Sequence, residues 1–167
     1  MRRKKVEDLL GIAGLALVWG IPIWAIANGL PEQIPLHFDL GGHVNRWGSS
    51  SELFFLPTIA LLLFVLLSVL VRFPASFNYP IEVTPENRAR LQELAVSMIQ
   101  WLKVELLVTF AWIEVWTVRI AREGEGANLS GLSIPFMLVP VGLVLATVIG
   151  YIVAMRSVPG AMAGRER

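Results

Sequence analysis

The chain has 167 residues, of which 55% are hydrophobic and 16% charged, with a mean hydropathy of +0.64; soluble domains carry about 25% charge, so a water-solvated globule is excluded. A formal charge of +1, with basic residues at segment ends, leaves no patch for nucleic acid. Cysteine is absent, which excludes disulfides, thiol catalysis and cysteine metal sites.

The first apolar run, Leu9 to Ala27, follows Arg2, Arg3, Lys4 and Lys5. At about 1.5 Å per residue it is long enough to cross a bilayer, which predicts a helix over about 9–29. Ala25-Ile26-Ala27 has the form of a signal cleavage site, but the run exceeds the ~7–15 residues of a signal h-region, which favours a retained span. Residues 31–52 hold Pro31, Pro35, Gly41, Gly42 and Gly48, which predicts an ordered connection rather than a helix. The next span, about 53–71, lacks any charge from Leu53 to Val71, and Pro57 falls in its first turn.

After a short loop with Pro74 and Pro80, Thr84-Pro85-Glu86 supplies an N-cap, a first-turn proline and an early acid. A third helix is expected over 85–122, with its membrane part at 96–118. The fourth is expected over 133–155, followed by a tail, 156–167, of small residues and arginines. Gly142, Ala146 and Gly150 share one face of it, which suggests close packing inside the bundle. Ten basic residues (Arg2, Arg3, Lys4, Lys5, Arg72, Arg88, Arg90, Arg156, Arg165, Arg167) flank one side, against Arg46, Arg119 and Arg122 on the other. The expected fold is therefore an all-α, four-helix integral membrane bundle in one domain. Its termini are cytoplasmic, an ordered extracytoplasmic loop joins helices one and two, and it lies in a bacterial cytoplasmic membrane.

The loop reads Leu30-Pro31-Glu32-Gln33-Ile34-Pro35-Leu36-His37-Phe38-Asp39-Leu40-Gly41-Gly42-His43-Val44-Asn45-Arg46-Trp47-Gly48. It resembles the signature of the bacterial family called domain of unknown function 1648, with matches at Leu30, Pro31, Ile34, Pro35, His37, Phe38, Gly42 and Trp47. Phe77-Asn78-Tyr79-Pro80 and Thr84-Pro85-Glu86-Asn87 resemble the family's cytoplasmic connection. Asn45 stands where the family commonly has Asp, and Ser50 or Ser51 where Lys is common. The resemblance implies a membrane protein related to SdpI-type immunity proteins, which protect a bacterium from its own secreted toxin and take part in signalling; those relatives carry membrane helices beyond the four read here.

Two groups of residues could carry chemistry. In the loop, Pro31, Pro35, His37, Phe38, Asp39, Gly42 and Trp47 form the candidate binding surface, with Trp47, Phe38 and Leu36 suited to headgroup depth. His37, Asp39 and His43 have the side chains of a two-His, one-carboxylate metal site, but H-x-D-x-x-x-H is not a regular ligand spacing. Neither a metal nor any other cofactor is expected. The plainer expectation has His37 bonding loop backbone and His43 facing water. In the third span, Lys103, Glu105 and Glu114 are costly at membrane depth unless paired, hydrated or snorkelling. Lys103 and Glu105 point about 200° apart and Lys103 and Glu114 are roughly 16 Å apart in rise, so no two pair within the helix. Snorkelling would take Lys103 inward and Glu114 outward. Ser68, Thr147 and Tyr151 should lie near the depth of Lys103 and Glu105, and Glu105 is expected to face the interior with a hydroxyl from Thr147 or Tyr151.

These features point to a non-enzymatic protein of immunity or sensing that recognises a toxin peptide, a lipid or another membrane protein at the outer face. The alternative is a small transporter or proton-linked carrier using Lys103, Glu105 and Glu114. A lipid-directed enzyme built on His37, Asp39 and His43 ranks third.

Overall fold

The computed structural model describes residues 2–39, 41–124 and 133–159; the side chains of 2–5 and 133–137 also lie outside the description. Most of the chain is helical: α1 (Arg2–Ala27), α2 (Phe55–Leu70), α3 (Arg88–Glu123) and α4 (Ser133–Arg156). All four helices are long and apolar enough to cross a membrane, α2 when the turn before it is included. Much of the expected tail, 160–167, lies outside the described residues.

The connection after α1 corrects the all-α expectation. Gln33–Phe38 (β1) and Val44–Ser49 (β2) pair as an antiparallel hairpin, from Gln33 opposite Ser49 to Phe38 opposite Val44. The register slips on both sides of His37, and these bulges accommodate Pro35, which has no N–H for a ladder. Ile34, Leu36 and Phe38 alternate along β1 toward the bundle, a period-two signal that the prolines and glycines disguise as loop. At the turn, Gly42 N–H donates to the Asp39 carbonyl at 3.0 Å, and Gly42 has φ +83°, where a Cβ would be strained.

The hairpin runs into a 3-10 turn, Ser50–Phe54, which opens α2. Ser49 caps it reciprocally: its hydroxyl accepts from the Ser51 amide, and its own amide donates to Glu52 Oε1 at 3.1 Å. Gly48 is tightly enclosed, since a Cβ there would collide with Leu36 and the Glu52 carboxylate.

Helix three begins at Arg88, three residues later than the expected start. The preceding turn is still built by the residues that signal it. The Thr84 hydroxyl accepts from the Asn87 amide, and Asn87 Oδ1 accepts from the Thr84 amide at 2.8 Å. Thr84 and Asn87 thus close a capping box of their own, with Asn87 in the position usually held by Glu or Gln. Helix one, in contrast, starts seven residues before the expected 9, because the basic residues at its start continue it beyond the apolar run.

Helix α3 is the centre of the assembly: half of its most apolar window is buried, against 6% for α4. It runs parallel to α1, pairing Ser97 with Glu7, Gln100 with Asp8, Leu107 with Gly14 and Arg122 with the Asn28 carbonyl. Helices α2 and α4 run the opposite way, as Lys103–Ser68 and Glu105–Thr147 fix. One end of the bundle therefore holds the hairpin, and the other holds the starts of α1 and α3 with the ends of α2 and α4. Three apolar clusters fill the core. Ala25, Ile34, Leu53, Val118 and Ala121 lie under the hairpin, Val18, Ala60, Leu107 and Ala111 lie mid-bundle, and Leu91, Leu94, Ala95 and Met155 lie at the far end.

The small-residue face of α4 does not pack within this chain. Gly142, Ala146 and Gly150 are exposed, and a Cβ at either glycine would meet nothing within 4 Å. Thr147, Tyr151 and Met155 make the contact instead, because α4 is recruited by polar partners on α3 rather than by close backbone approach.

Candidate functional site

A cavity of about 840 Å³ opens between the hairpin and the adjoining ends of α2 and α3. Its walls are largely apolar, with Leu36 and Phe38 from β1, Phe54 to Leu56 from the start of α2, and Ile113 from α3. Polar groups enter from His37, Asp39, Arg46, Glu52, Thr58 and Thr117. An apolar pocket with a few convergent polar groups is the usual form of a small-ligand site.

The structure brings Pro35, His37, Phe38, Asp39 and Gly42 to this cavity, but not Pro31 or Trp47. Trp47 sits opposite Pro35 in the hairpin, and Pro31 is exposed ahead of β1. Ring nitrogen Nδ1 of His37 lies 2.6 Å from Asn45 Oδ1, so Nδ1–H donates to that amide carbonyl. The expected bond from His37 to loop backbone is thus replaced by a cross-strand side-chain bond. The regular register would set His37 opposite Asn45; the bulge shifts its backbone pairing to Arg46, and the His37 and Asn45 side chains still meet across the strands. His43 is exposed as expected, and its Nδ1 lies 3.4 Å from Asp39 Oδ2. The imidazoles of His37 and His43 engage different partners, and among the described residues no three His, Cys, Asp or Glu side chains gather as metal ligands.

Asp39 is the turn's electrostatic fastener. Its Oδ1 accepts from the His43 amide at 2.9 Å, and its amide donates to the His43 carbonyl at 2.9 Å. The His43 amide bond holds the Asp39 carboxyl below its ordinary value of 3.8. A depressed carboxylate contributes stability above its unfolded value and loses it as pH falls through the folded one. Amide exchange should therefore show His43 protected above about pH 4 and progressively unprotected below it. Asp39→Asn should remove the pH dependence, and an unchanged pH profile in that variant would assign the loosening to another group.

The charges of α3 have three different surroundings. Lys103 is buried at 2% exposure, donates to Ser68 Oγ at 3.1 Å and lies 4.7 Å above the Phe64 ring. It does not snorkel, because Ser68 and the aromatic face receive its ammonium within the bundle and Asp8 and Glu7 lie within electrostatic range. Glu105 faces the interior and accepts from the Thr147 hydroxyl through Oε1, while Oε2 is buried without a partner. Glu114 departs most from expectation. It has 0% exposure, and neither carboxylate oxygen has a hydrogen-bond partner among the described residues. Snorkelling is closed to it because it occupies the stripe of α3 that also holds Ala111 and Val118, packed against α1 and α2.

A polar layer at the end opposite the hairpin escapes a reading centred on apolar runs. Glu7 is 3% exposed and accepts from the Ser97 hydroxyl at 3.1 Å; Ser97 also lies 2.8 Å from the Tyr151 hydroxyl. Gln100 donates to Asp8 at 3.0 Å. The signal was present: two acids stand next to a basic flank at the mouth of an apolar run, where they need partners.

Two comparisons with known proteins find similarity. Residues 12–61 match the family described as Domain of unknown function (DUF1648). An uncharacterized protein of Archaeoglobus fulgidus is 33% identical over 79 residues, covering 42% of this chain and 43% of that protein. The chain thus spans less than half the length of the relative it matches. No solved structure matches. The matched segment takes in most of α1, the whole hairpin and the start of α2, and of the signature residues Ile34, Pro35, His37, Phe38 and Gly42 line the cavity, so residues 12–61 are similar to the DUF1648 family in the part that builds the site.

Proposed function

We propose that this membrane protein is a non-enzymatic recognition protein of a bacterial plasma membrane, with the hairpin outside, that binds an amphipathic ligand in an immunity or sensing role. The cavity beneath the hairpin carries the reading. Its apolar walls suit an acyl chain or an apolar peptide face, while His37, Asp39, Arg46 and Glu52 offer hydrogen bonds and charge to a polar end. A secreted toxin peptide, a lipid or a segment of another membrane protein has that chemistry. The relation to SdpI-type immunity proteins, implied by the signature, agrees with the first.

The test is occupancy. Protein extracted in mild detergent should carry a stoichiometric amphiphile by intact-complex mass spectrometry. Ile113→Trp fills the cavity from α3 without touching the hairpin's hydrogen bonds, and it should lose the amphiphile with insertion and thermal stability unchanged. Equal occupancy in wild type and variant would move recognition elsewhere.

The orientation rests on the ten-to-three basic bias. An impermeant thiol reagent on intact cells should label Ser50→Cys and spare Ser157→Cys. The reverse pattern would overturn the assignment and put the cavity in the cytoplasm.

The alternative, a proton-linked carrier using Lys103, Glu105 and Glu114, is favoured by one observation, the burial of Glu114 with both oxygens unpartnered.

A further inference from the structure

Glu114 stands just behind the cavity wall. The contact of Gly14 with Leu107 and the shared cluster of Ala25 and Val118 set Glu114 level with Ile21 and Pro22 of α1. Lys103 beside Ser68, and Ala111 clustered with Ala60, set it level with Pro57 of α2. Pro22 and Pro57 are both fully buried. Proline has no N–H, so the carbonyl of Val18, four residues before Pro22 inside α1, loses its helical donor at this level, whereas Pro57 lies in the first turn of α2, where no helical donor is lost. A carboxyl group whose two oxygens have no partner among the described residues therefore sits where α1 leaves a backbone acceptor short of a donor. The cavity adjoins this place from both helices, since Ile113 and Thr117 flank Glu114 and Leu56 and Thr58 flank Pro57 among its lining residues.

Among the described residues the surroundings bring no compensating charge. At this level α1 presents Ile21 and Pro22, α2 presents Pro57, and the hairpin presents Ile34 and Pro35. The described side chains of α4 nearest this level, Leu138 to Leu143, are apolar or glycine and mostly exposed. Titratable and charged groups of the cavity itself are His37, Asp39, Arg46 and Glu52. Along α3, Lys103 is about three turns away and Glu105 is engaged by Thr147, while Arg119, Arg122 and Glu123 are exposed beyond the hairpin end.

We propose that Glu114 is a proton-binding site served by the cavity, which takes up one proton from cavity water, holds it as the neutral acid, and returns it to the same side. Only an O–H bond forms and breaks. The neutral form matches the uncharged stripe, its hydroxyl can donate to the Val18 carbonyl freed by Pro22, and the Thr117 hydroxyl can hand the proton between cavity and carboxyl. This site goes beyond ligand recognition and is independent of what ligand the cavity takes.

Infrared difference spectroscopy of the full chain in lipid nanodiscs, titrated in pH, tests it. A carbonyl band of a protonated carboxylic acid should be present at neutral pH, disappear on alkalinisation, and be lost in Glu114→Gln. Glu114→Asp, which keeps the acid, should shift the band rather than abolish it, so a misfolded Gln variant does not decide the matter. Thr117→Leu should slow deuterium exchange of the band, which ties the proton to the cavity. A neutral-pH spectrum with no band sensitive to Glu114→Gln or Glu114→Asp would overturn the proposal. Loss of the band on adding sodium at fixed pH, with choline as control, would also overturn it, by making the site a metal-cation site.

Discussion

Replacing Glu114 by Met is expected to stabilise the protein by about 1–3 kcal/mol, the usual cost of a buried polar group left without a partner. The side chains are similar in length, so Met fills the space between Ala111 and Val118 without leaving a void, and its thioether needs no donor. The carboxyl occupies this stripe at 0% exposure with both oxygens unpartnered, a cost in either protonation state and a larger one when ionised. Glu105→Met supplies the contrast, since it breaks the bond from Thr147 and leaves that hydroxyl facing α3. It should be neutral or destabilising. Reversible unfolding in mixed micelles measures both, and a destabilised Glu114→Met would mean that the carboxyl has a partner, either the Val18 carbonyl freed by Pro22 or a group beyond this chain. A stabilised variant that loses function would mark Glu114 as a residue kept for use at the expense of stability.

Leu107→Ala is expected to cost about 2–3 kcal/mol, the lower part of the range for buried leucines. Leu107 is 1% exposed and packs directly against Gly14 of α1, whose missing side chain leaves the space for the leucine. In a bilayer the unfolded helices are already in hydrocarbon, so the transfer part of the usual cost largely cancels and lost packing remains. Gly14→Ala should also destabilise, because its methyl would meet Leu107 Cβ at 3.1 Å. The double variant should recover part of both losses, since the added methyl enters the space the leucine vacates. The same unfolding assay reads all three, and strict additivity would show that the two positions do not share this contact.

Composition and segment length made the four spans legible, because bilayer thickness leaves few other ways to place such runs. The depth comparison also found the partners of Lys103 and Glu105, since rise per residue suffices once helix directions alternate. The hairpin was hidden by its own chemistry, as Pro35, Gly41, Gly42 and Gly48 carry stronger loop signals than the alternation of Ile34, Leu36 and Phe38. The fate of Glu114 could not be read from one helix, because which face α3 turns to α1 depends on contacts 93 residues apart, such as Gly14 with Leu107. The same holds for α4, where small residues suggested an interface and two hydroxyls made it.

That mode of attachment gives the bundle an order of disassembly. Helix α4 is held by hydroxyl contacts at Thr147 and Tyr151 and by Met155 near its end, while Leu138, Val139, Val141 and Leu143 are more than half exposed. A force applied at the C-terminus would load these few contacts one after another, like a zip, before reaching the α1–α3 seam. In single-molecule pulling α4 should therefore leave first as a separate low-force step, with the hairpin and its cavity still assembled behind it.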